Sequence, residues 1–180
     1  VGSEMCIRDR DWYMKKRGVL LIGMPGAGKT TIGRELSKVL KMNFLDMDEF
    51  IERSTGKEIK ELFAQGEEVF RDLESKSCEL LSTLKNVVIS SGGGIVTREE
   101  NMGNFKEFIT VFINRPLDLI MEDIDTEGRP LLWDGKERLT NLYRDRIDLY
   151  KKHSDIEIIN DGTTKEAIRE IVKAISELSY

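Results

Sequence analysis

The segment Gly23–Thr30 has the residue types and the spacing of a phosphate-binding loop. It reads GMPGAGKT and satisfies the pattern G-x-x-x-x-G-K-[ST]. Glycines let successive backbone N–H groups turn inward around phosphate oxygens, and the N-terminus of the following helix adds a positive dipole end. In such a loop Lys29 reaches the β- and γ-phosphates, and the hydroxyl of Thr30 binds Mg²⁺. The motif predicts a site for ATP or GTP, and a glycine-rich turn without function is the alternative.

The residues on either side of the loop agree with this interpretation. Val19–Ile22 is an unbroken apolar run that ends at a glycine, which is typical of a strand buried on both faces. After the loop, Ile32, Leu36, Val39 and Leu40 recur at the spacing of one helix face. Strand, loop and helix therefore follow in the order that the motif requires.

Two carboxylates close the next strand candidate, Phe44-Leu45. Asp46 and Asp48 are two residues apart, so in an extended segment both would point to the same side. One could then face Mg²⁺ while the other faces the hydroxyl of a phosphate acceptor. The alternative is that Asp48 caps a helix over Glu49 to Arg53.

Further candidates are a glycine run and three arginines. Gly92-Gly93-Gly94 follows a buried strand and would present N–H groups to a ligand at close range, or form a tight turn. Arg71 lies about 100° around its helix from Phe70, off the buried stripe. Arg71, Arg129 and Arg146 could each be a solvated surface arginine. Only their combination with the phosphate loop indicates a site.

The order of elements predicts an α/β fold with a central parallel sheet of about five strands, helices on both faces and a ligand site at the carboxyl ends of the strands. The remaining strand candidates are Val87-Val88-Ile89, Ile109 to Ile113 and Ile156 to Ile159. Two more helical stripes separate or follow them, namely Phe70, Leu73, Leu80, Leu81 and Leu84, and Ile168, Ile171, Val172, Ile175 and Leu178. The polar stretch 126–136 is expected to form a mobile lid.

Composition narrows the class of protein. The 180 residues suit one domain, which we place at 14–180, and 39% of them are hydrophobic and 34% charged. A net charge of -5 argues against nucleic acid as a partner, and no apolar run is long enough to span a membrane. Cys6 and Cys78 with a single His make a disulfide framework or zinc site improbable, which favours a reducing cytoplasm. We expect 1–13 to be a leader, a tag or a translation artefact.

A guanine-reading Asn-Lys-x-Asp is absent from the sequence, and Val87-Val88-Ile89 is followed by Ser90-Ser91-Gly92 rather than by a metal-binding aspartate. Both observations disfavour a GTPase switch. They leave kinases of small molecules and other ATP-dependent proteins as the open classes.

Several segments in one order carry a resemblance to a known family. GMPGAGKTT, DMDEF, VFRDLE, SGGGIV, GRPLL and RIDLY together resemble shikimate kinase, from about Val19 to Tyr150. The resemblance implies a P-loop kinase fold of three layers, like that of the nucleoside monophosphate kinases. It also implies Mg²⁺-dependent transfer of the ATP γ-phosphoryl group to the 3-hydroxyl of shikimate, on the route to chorismate and aromatic amino acids, by a cytoplasmic protein that we expect to be a monomer.

The resemblance also assigns roles to residues. Asp48 would bind the shikimate hydroxyls and orient or deprotonate the nucleophile, and Asp46 would hold Mg²⁺ through water together with Thr30. Catalysis would rest on Lys29, Asp48 and Arg129. ATP would be bound by Gly26, Ala27, Gly28, Lys29, Thr30, Thr31 and the lid residue Arg129. Shikimate would be bound by Asp48, Arg71, Gly92, Gly93, Gly94 and Arg146, with the two arginines on its carboxylate.

The sequence departs from the family pattern on the nucleotide side. Many shikimate kinases carry another arginine before the lid, where this chain has the acidic segment Leu119–Asp125. The loop Asn160–Thr164 lacks the arginine or proline that relatives often place near adenine. A kinase for another hydroxylated acceptor, such as gluconate or a nucleotide, and an ATP-binding protein without catalysis therefore remain alternatives.

Overall fold

The computed structural model describes residues 15–126 and 133–178. The expected leader at 1–13 and the lid arginine, Arg129, lie outside these ranges. Thr126 ends one helix and Trp133 begins the next, so most of the expected lid at 126–136 also lies outside the described residues.

The core is a sheet of five parallel strands in the order β2-β3-β1-β4-β5. The strands are β1 Gly18–Ile22, β2 Asn43–Asp46, β3 Val87–Ser90, β4 Phe108–Asn114 and β5 Ile156–Ile159. Each predicted strand is present, and the α/β fold class is confirmed. Every residue of β1 is buried, as expected of a central parallel strand covered on both faces.

Helices follow or separate the strands. They are α1 Lys29–Leu40, α2 Met47–Thr55, α3 Ile59–Gln65, α4 Glu67–Leu81, α5 Glu99–Asn104, α6 Leu117–Thr126, α7 Trp133–His153 and α8 Thr164–Glu177, with a short 3₁₀ turn at Ile95–Thr97. Among the described residues, no helix is long and apolar enough to cross a membrane.

Two of the predicted apolar stripes are wrong in part. Val39 is 51% exposed and Leu80 is 62% exposed, although both were placed on buried helix faces. Leu84 lies beyond the end of α4 and is also exposed. A periodic pattern shows which residues could share a face, but the neighbouring elements decide how wide the buried stripe is.

Candidate active site

The phosphate loop connects β1 to α1 as the motif predicts. Gly28 is the N-cap of α1 and has a left-handed backbone with φ of 94°, which favours glycine. Gly23 lies so close to β4 that a Cβ there would be 2.5 Å from the carbonyl oxygen of Ile113. The N-terminal N–H groups of α1, in which Thr31 is exposed, have no partners within the helix and can bind phosphate oxygens.

Lys29 is folded back over its own loop. Its Nζ donates hydrogen bonds to the carbonyl oxygens of Gly23, at 2.7 Å, and Met24, at 2.8 Å, and the residue is only 8% exposed. Burial lowers the pKa of Lys29 to about 8, against the opposing attraction of Asp48 and Asp46. An anion that reached the loop would be a strong partner for this desolvated ammonium group.

Thr30, Asp46 and Ser90 come together beside the loop. The Thr30 hydroxyl donates to Asp46 Oδ2 at 2.8 Å and lies 3.4 Å from Ser90 Oγ. Asp46 Oδ1 accepts from the backbone N–H of Glu49 at 3.0 Å, which fixes the carboxylate. Hydroxyl and carboxylate oxygens are the ligands that Mg²⁺ takes, usually with water and substrate phosphates completing its shell. These residues therefore fit the predicted magnesium role.

The expected geometry of the aspartate pair is wrong. The strand ends at Asp46 and α2 begins at Met47, so Asp48 lies in the first turn of a helix rather than in an extended segment. Asp46, not Asp48, is the N-cap of α2. The carboxylate of Asp48 is therefore not occupied by capping.

Asp48 lies beside the glycine run. Its Oδ1 atom is buried and has no hydrogen-bond partner among the described residues. A Cβ on Gly92 would lie 3.0 Å from that atom. Burial raises the pKa of Asp48, the negative charge of Asp46 raises it further, and Lys29 opposes both. Asp48 is thus a buried carboxylate in need of a donor.

Arg71 is buried, which contradicts its placement off the apolar stripe. It is 7% exposed because its guanidinium lies over the rings of Phe63 and Phe70, at 5.7 and 5.4 Å from their centroids. Its Nη1 donates to Glu74 Oε1 at 2.9 Å. The aromatic pair and this carboxylate replace the water that a surface arginine would have.

Glu74 is a site residue that sequence reasoning missed. It is fully buried, and its Oε2 has no partner among the described residues. Burial raises the pKa of Glu74, while Arg71 opposes that effect. The available signal was its place three residues after Arg71, a spacing at which helical side chains meet.

The glycine run packs against three parts of the site. A Cβ on Gly92 would meet Asp48 and Glu74, one on Gly93 would lie 2.7 Å from Pro25 Cδ, and one on Gly94 would overlap the guanidinium of Arg71. None of the three has a left-handed φ. They are glycine because a side chain would not fit between the phosphate loop and the charged residues.

Tyr150 and Arg146, on α7, reach the same place. The Tyr150 ring is fully buried and stacks on Phe112, and its hydroxyl donates to the carbonyl oxygen of Gly93 at 2.5 Å. Burial raises the pKa of Tyr150 to about 12, and the positive charge of Arg146 opposes that rise. The positive charge of Arg146 also lowers the pKa of Lys29 and opposes the rise in the pKa of Glu74.

The structure thus brings two groups of residues to one edge of the sheet. The phosphate-loop half consists of Gly23–Thr30 with Asp46 and Ser90. The acceptor half consists of Asp48, Arg71, Glu74, Gly92–Gly94, Arg146 and Tyr150. Every predicted site residue except Arg129 lies within the described ranges and in one of these halves or, for Thr31, directly after the loop.

The remaining reactive side chains have other surroundings. Cys78 is buried in the core, and burial raises its pKa, so its surroundings favour a packing role over reactivity. His153 ends α7, and burial together with the positive charge of Lys152 lowers its pKa. That lowering disfavours the charged form of His153 at neutral pH.

Comparison with known proteins adds independent information. A sequence model of the family "Shikimate kinase" matches residues 25–176. A shikimate kinase of Clostridium botulinum, strain Alaska E43, is 49% identical over 161 residues, which cover 89% of this chain and 98% of that protein. A shikimate kinase of Clostridium beijerinckii is 48% identical over 89% of this chain and 95% of that protein.

Solved structures give the same result. The shikimate kinase of Acinetobacter baumannii in complex with shikimate superimposes with a TM-score of 0.84 and 30% identity, covering 95% of this chain and 99% of that one. A gluconokinase of Sinorhizobium meliloti superimposes with a TM-score of 0.60, covering 90% of this chain and 93% of that one. Its 11% identity supports a shared fold only.

Proposed function

The chain belongs to the shikimate kinase family, and we propose from this premise how its two half-sites transfer the γ-phosphoryl group of ATP to the 3-hydroxyl of shikimate. The products are shikimate 3-phosphate and ADP. The observation that carries the proposal is the buried Oδ1 of Asp48, which has no partner among the described residues and lies beside the glycine run that packs against Pro25 of the phosphate loop.

Asp48 orients the attacking hydroxyl of shikimate and accepts its proton. A hydroxyl of shikimate supplies the hydrogen bond that Asp48 Oδ1 lacks, and the raised pKa of Asp48 makes it a better proton acceptor than a solvated aspartate. As the bond from the 3-oxygen to phosphorus forms and the bond to the leaving ADP oxygen breaks, the hydroxyl proton passes to the Asp48 carboxylate. Because phosphoryl transfer depends chiefly on position and charge, orientation of the hydroxyl is as important as proton removal.

Arg71 and Arg146 bind the carboxylate of shikimate. Glu74 and the two phenylalanine rings hold the Arg71 guanidinium in place before substrate arrives. A guanidinium fork recognises a carboxylate with two parallel hydrogen bonds, and preorganisation reduces the entropy lost on binding. The glycine run then forms the floor between this carboxylate site and Asp48.

The phosphate-loop half binds ATP. Lys29 exchanges its bonds to Gly23 and Met24 for phosphate oxygens, and the N–H groups from Gly26 to Thr31 complete the cradle. Thr30 and, through water, Asp46 would hold Mg²⁺, which neutralises charge on the β- and γ-phosphates when bound. Arg129, which lies outside the described residues, is proposed to close over the phosphates.

A coupled assay of ADP release tests the function. The intact protein with Mg-ATP should release ADP on addition of shikimate, and gluconate and nucleoside monophosphates at equal concentration should give no comparable rate. Turnover with another acceptor but not with shikimate would favour the related-kinase alternative. ATP binding without turnover on any acceptor would favour a binding protein.

We propose a cytoplasmic monomer of one kinase domain over 14–180. Sedimentation velocity checks the oligomeric state, since a single species near the mass of one chain is expected.

A further inference from the structure

One flank of the phosphate loop carries polar side chains that the transfer mechanism does not use. The loop follows β1, the middle strand, and the acceptor half lies on the side of β2 and β3. The nucleoside of ATP would therefore lie on the other side of the loop, next to β4 and β5. Arg115 follows β4 directly, and Asn160 follows β5, so both lie at the carboxyl edge on this side.

Arg115 ties two elements together. Its Nε and Nη2 donate to the two carboxylate oxygens of Asp123 on α6, at 2.8 and 3.1 Å. Its Nη1 donates to the carbonyl oxygen of Asn160 at 2.8 Å. The Arg115 side chain is 17% exposed. This is a bidentate pair with a third bond, the arrangement in which arginine is most restrictive.

Both elements held by Arg115 contact the phosphate loop. The Asn160 side-chain amide donates to the carbonyl oxygen of Ala27 at 2.9 Å and would lie 3.0 Å from a Cβ on Gly28. On α6, a methyl group of the buried Ile120 would lie 3.2 Å from a Cβ on Gly26. We call Arg115, Asp123 and Asn160 the nucleotide-side brace.

We propose that Arg115 is a positioning residue for the nucleotide, which sets ATP affinity by holding α6 and the loop after β5 against the phosphate loop. The inference rests on the proposed function for the identity of the nucleotide. It also accounts for the departure noted in the sequence, because the acidic residue Asp123 of the pre-lid segment is a partner of Arg115. Without the brace, α6 and the loop after β5 can move away from the phosphate loop. ATP affinity then falls, while the acceptor half is not disturbed.

The test compares two variants with a matched control pair. Arg115→Met keeps the length of the side chain and removes its donors, and Arg115→Lys keeps the charge without the fork. Arg98 is the control, since it bridges Asp72 and Glu68 with bonds of 2.9 Å and its side chain is 22% exposed. Arg98→Met and Arg98→Lys remove a comparable brace away from the nucleotide.

Calorimetry measures the Kd for ADP without shikimate, and steady-state kinetics measures both KM values. We expect Arg115→Met to raise the ADP Kd and the ATP KM about tenfold, as loss of a charge-assisted network implies. Arg115→Lys should lie between Arg115→Met and the unmodified protein. The shikimate KM of the Arg115 variants should stay within about twofold of the unmodified protein. The ADP Kd of the Arg98 variants should also stay within about twofold of the unmodified protein.

Two outcomes overturn the inference. One is an ADP Kd within about twofold of the unmodified protein in both Arg115 variants, and the other is a shikimate KM that rises as much as the ATP KM. If Arg115→Met does not fold by circular dichroism, Arg115→Lys decides. Because ADP binding is measured without shikimate, a protein that binds ADP but does not phosphorylate shikimate would refute the proposed function and leave this inference testable.

Discussion

The phosphate-loop half of the site is built from consecutive residues, whereas the acceptor half is assembled from α2, α4, α7 and the glycine run after β3. Their polar atoms differ as well. Lys29 already has two backbone partners, while Asp48 Oδ1 and Glu74 Oε2 are buried without any among the described residues. An unpaired buried polar group costs about 1–3 kcal/mol.

The buried, unpaired oxygens of the acceptor half therefore lower the stability of the fold at the place where the substrate is proposed to bind. The loop can rest in a satisfied state because its ligand arrives with strong charges that displace the resting bonds. In the proposed function the acceptor half binds a neutral hydroxyl group. Asp48 Oδ1, which has no partner among the described residues, would accept the hydrogen bond of that hydroxyl. Variants of the two halves should therefore behave differently.

The largest effect is expected at Asp48. Asp48→Asn should lower kcat by about 10²- to 10⁴-fold, the range for loss of a positioned proton acceptor, with little change in the ATP KM. Because the pKa of Asp48 is raised, its ionised form at neutral pH destabilises the fold, and the melting temperature should rise in the variant. Steady-state kinetics and thermal denaturation check both signs. An unchanged kcat would remove Asp48 from the mechanism.

Arg71 should come next. Arg71→Met is expected to raise the shikimate KM about 10- to 100-fold with a modest change for ATP, since a charge-assisted bond to the carboxylate is lost. The variant also leaves Glu74 buried and unpaired, so stability should fall.

A double variant separates these two effects of Arg71. Arg71→Met with Glu74→Gln should recover stability but not shikimate affinity, as measured by denaturation and kinetics. Arg98→Met is the matched control for loss of an arginine from this region. Equal damage to ATP and shikimate KM would contradict the assignment to the acceptor half.

The pH dependence of ATP kinetics should report on Lys29, in the phosphate-loop half. Its pKa of about 8 in the free protein means that the charged form is lost as pH rises through 8. The value of kcat/KM for ATP should then fall toward tenfold per pH unit above that value, whereas kcat at saturating ATP should fall less, because bound phosphate stabilises the charged lysine. Lys29→Arg, which stays charged, should lose the alkaline fall. A profile that is the same in both proteins would contradict the assignment.

The smallest effect is expected at Tyr150. Tyr150→Phe removes the hydrogen bond to Gly93 and should destabilise the protein by about 1 kcal/mol in the free energy of unfolding. The shikimate KM should rise a few-fold because the glycine run loses a support, and the ATP KM should not change. Urea denaturation and kinetics measure the two effects, and a larger change for ATP than for shikimate would refute this placement.

The sequence by itself determined the elements whose structure depends only on residues close together in the chain. Gly23–Thr30 could be interpreted because its phosphate-binding geometry is local, and the runs from Val19 to Ile22 and from Ile109 to Ile113 are strands because apolar runs of this length are buried in parallel sheets. The resemblance then named the acceptor residues by their order. That order also assigned Asp48 and Arg71 to one site, and the structure brings both side chains to the glycine run.

Only the tertiary structure decided how those residues are surrounded. A helical wheel placed Arg71 toward solvent, but Phe63, Phe70 and Glu74 cover it. Asp48 became a helix residue because Asp46 caps α2.

Contacts between distant segments were likewise outside the reach of the sequence. Ser90 meets Thr30 across 60 positions, and Asn160 meets Ala27 across 133. Burial and pKa depend on which segments the sheet order brings together at its carboxyl edge, and no local spacing contains that information.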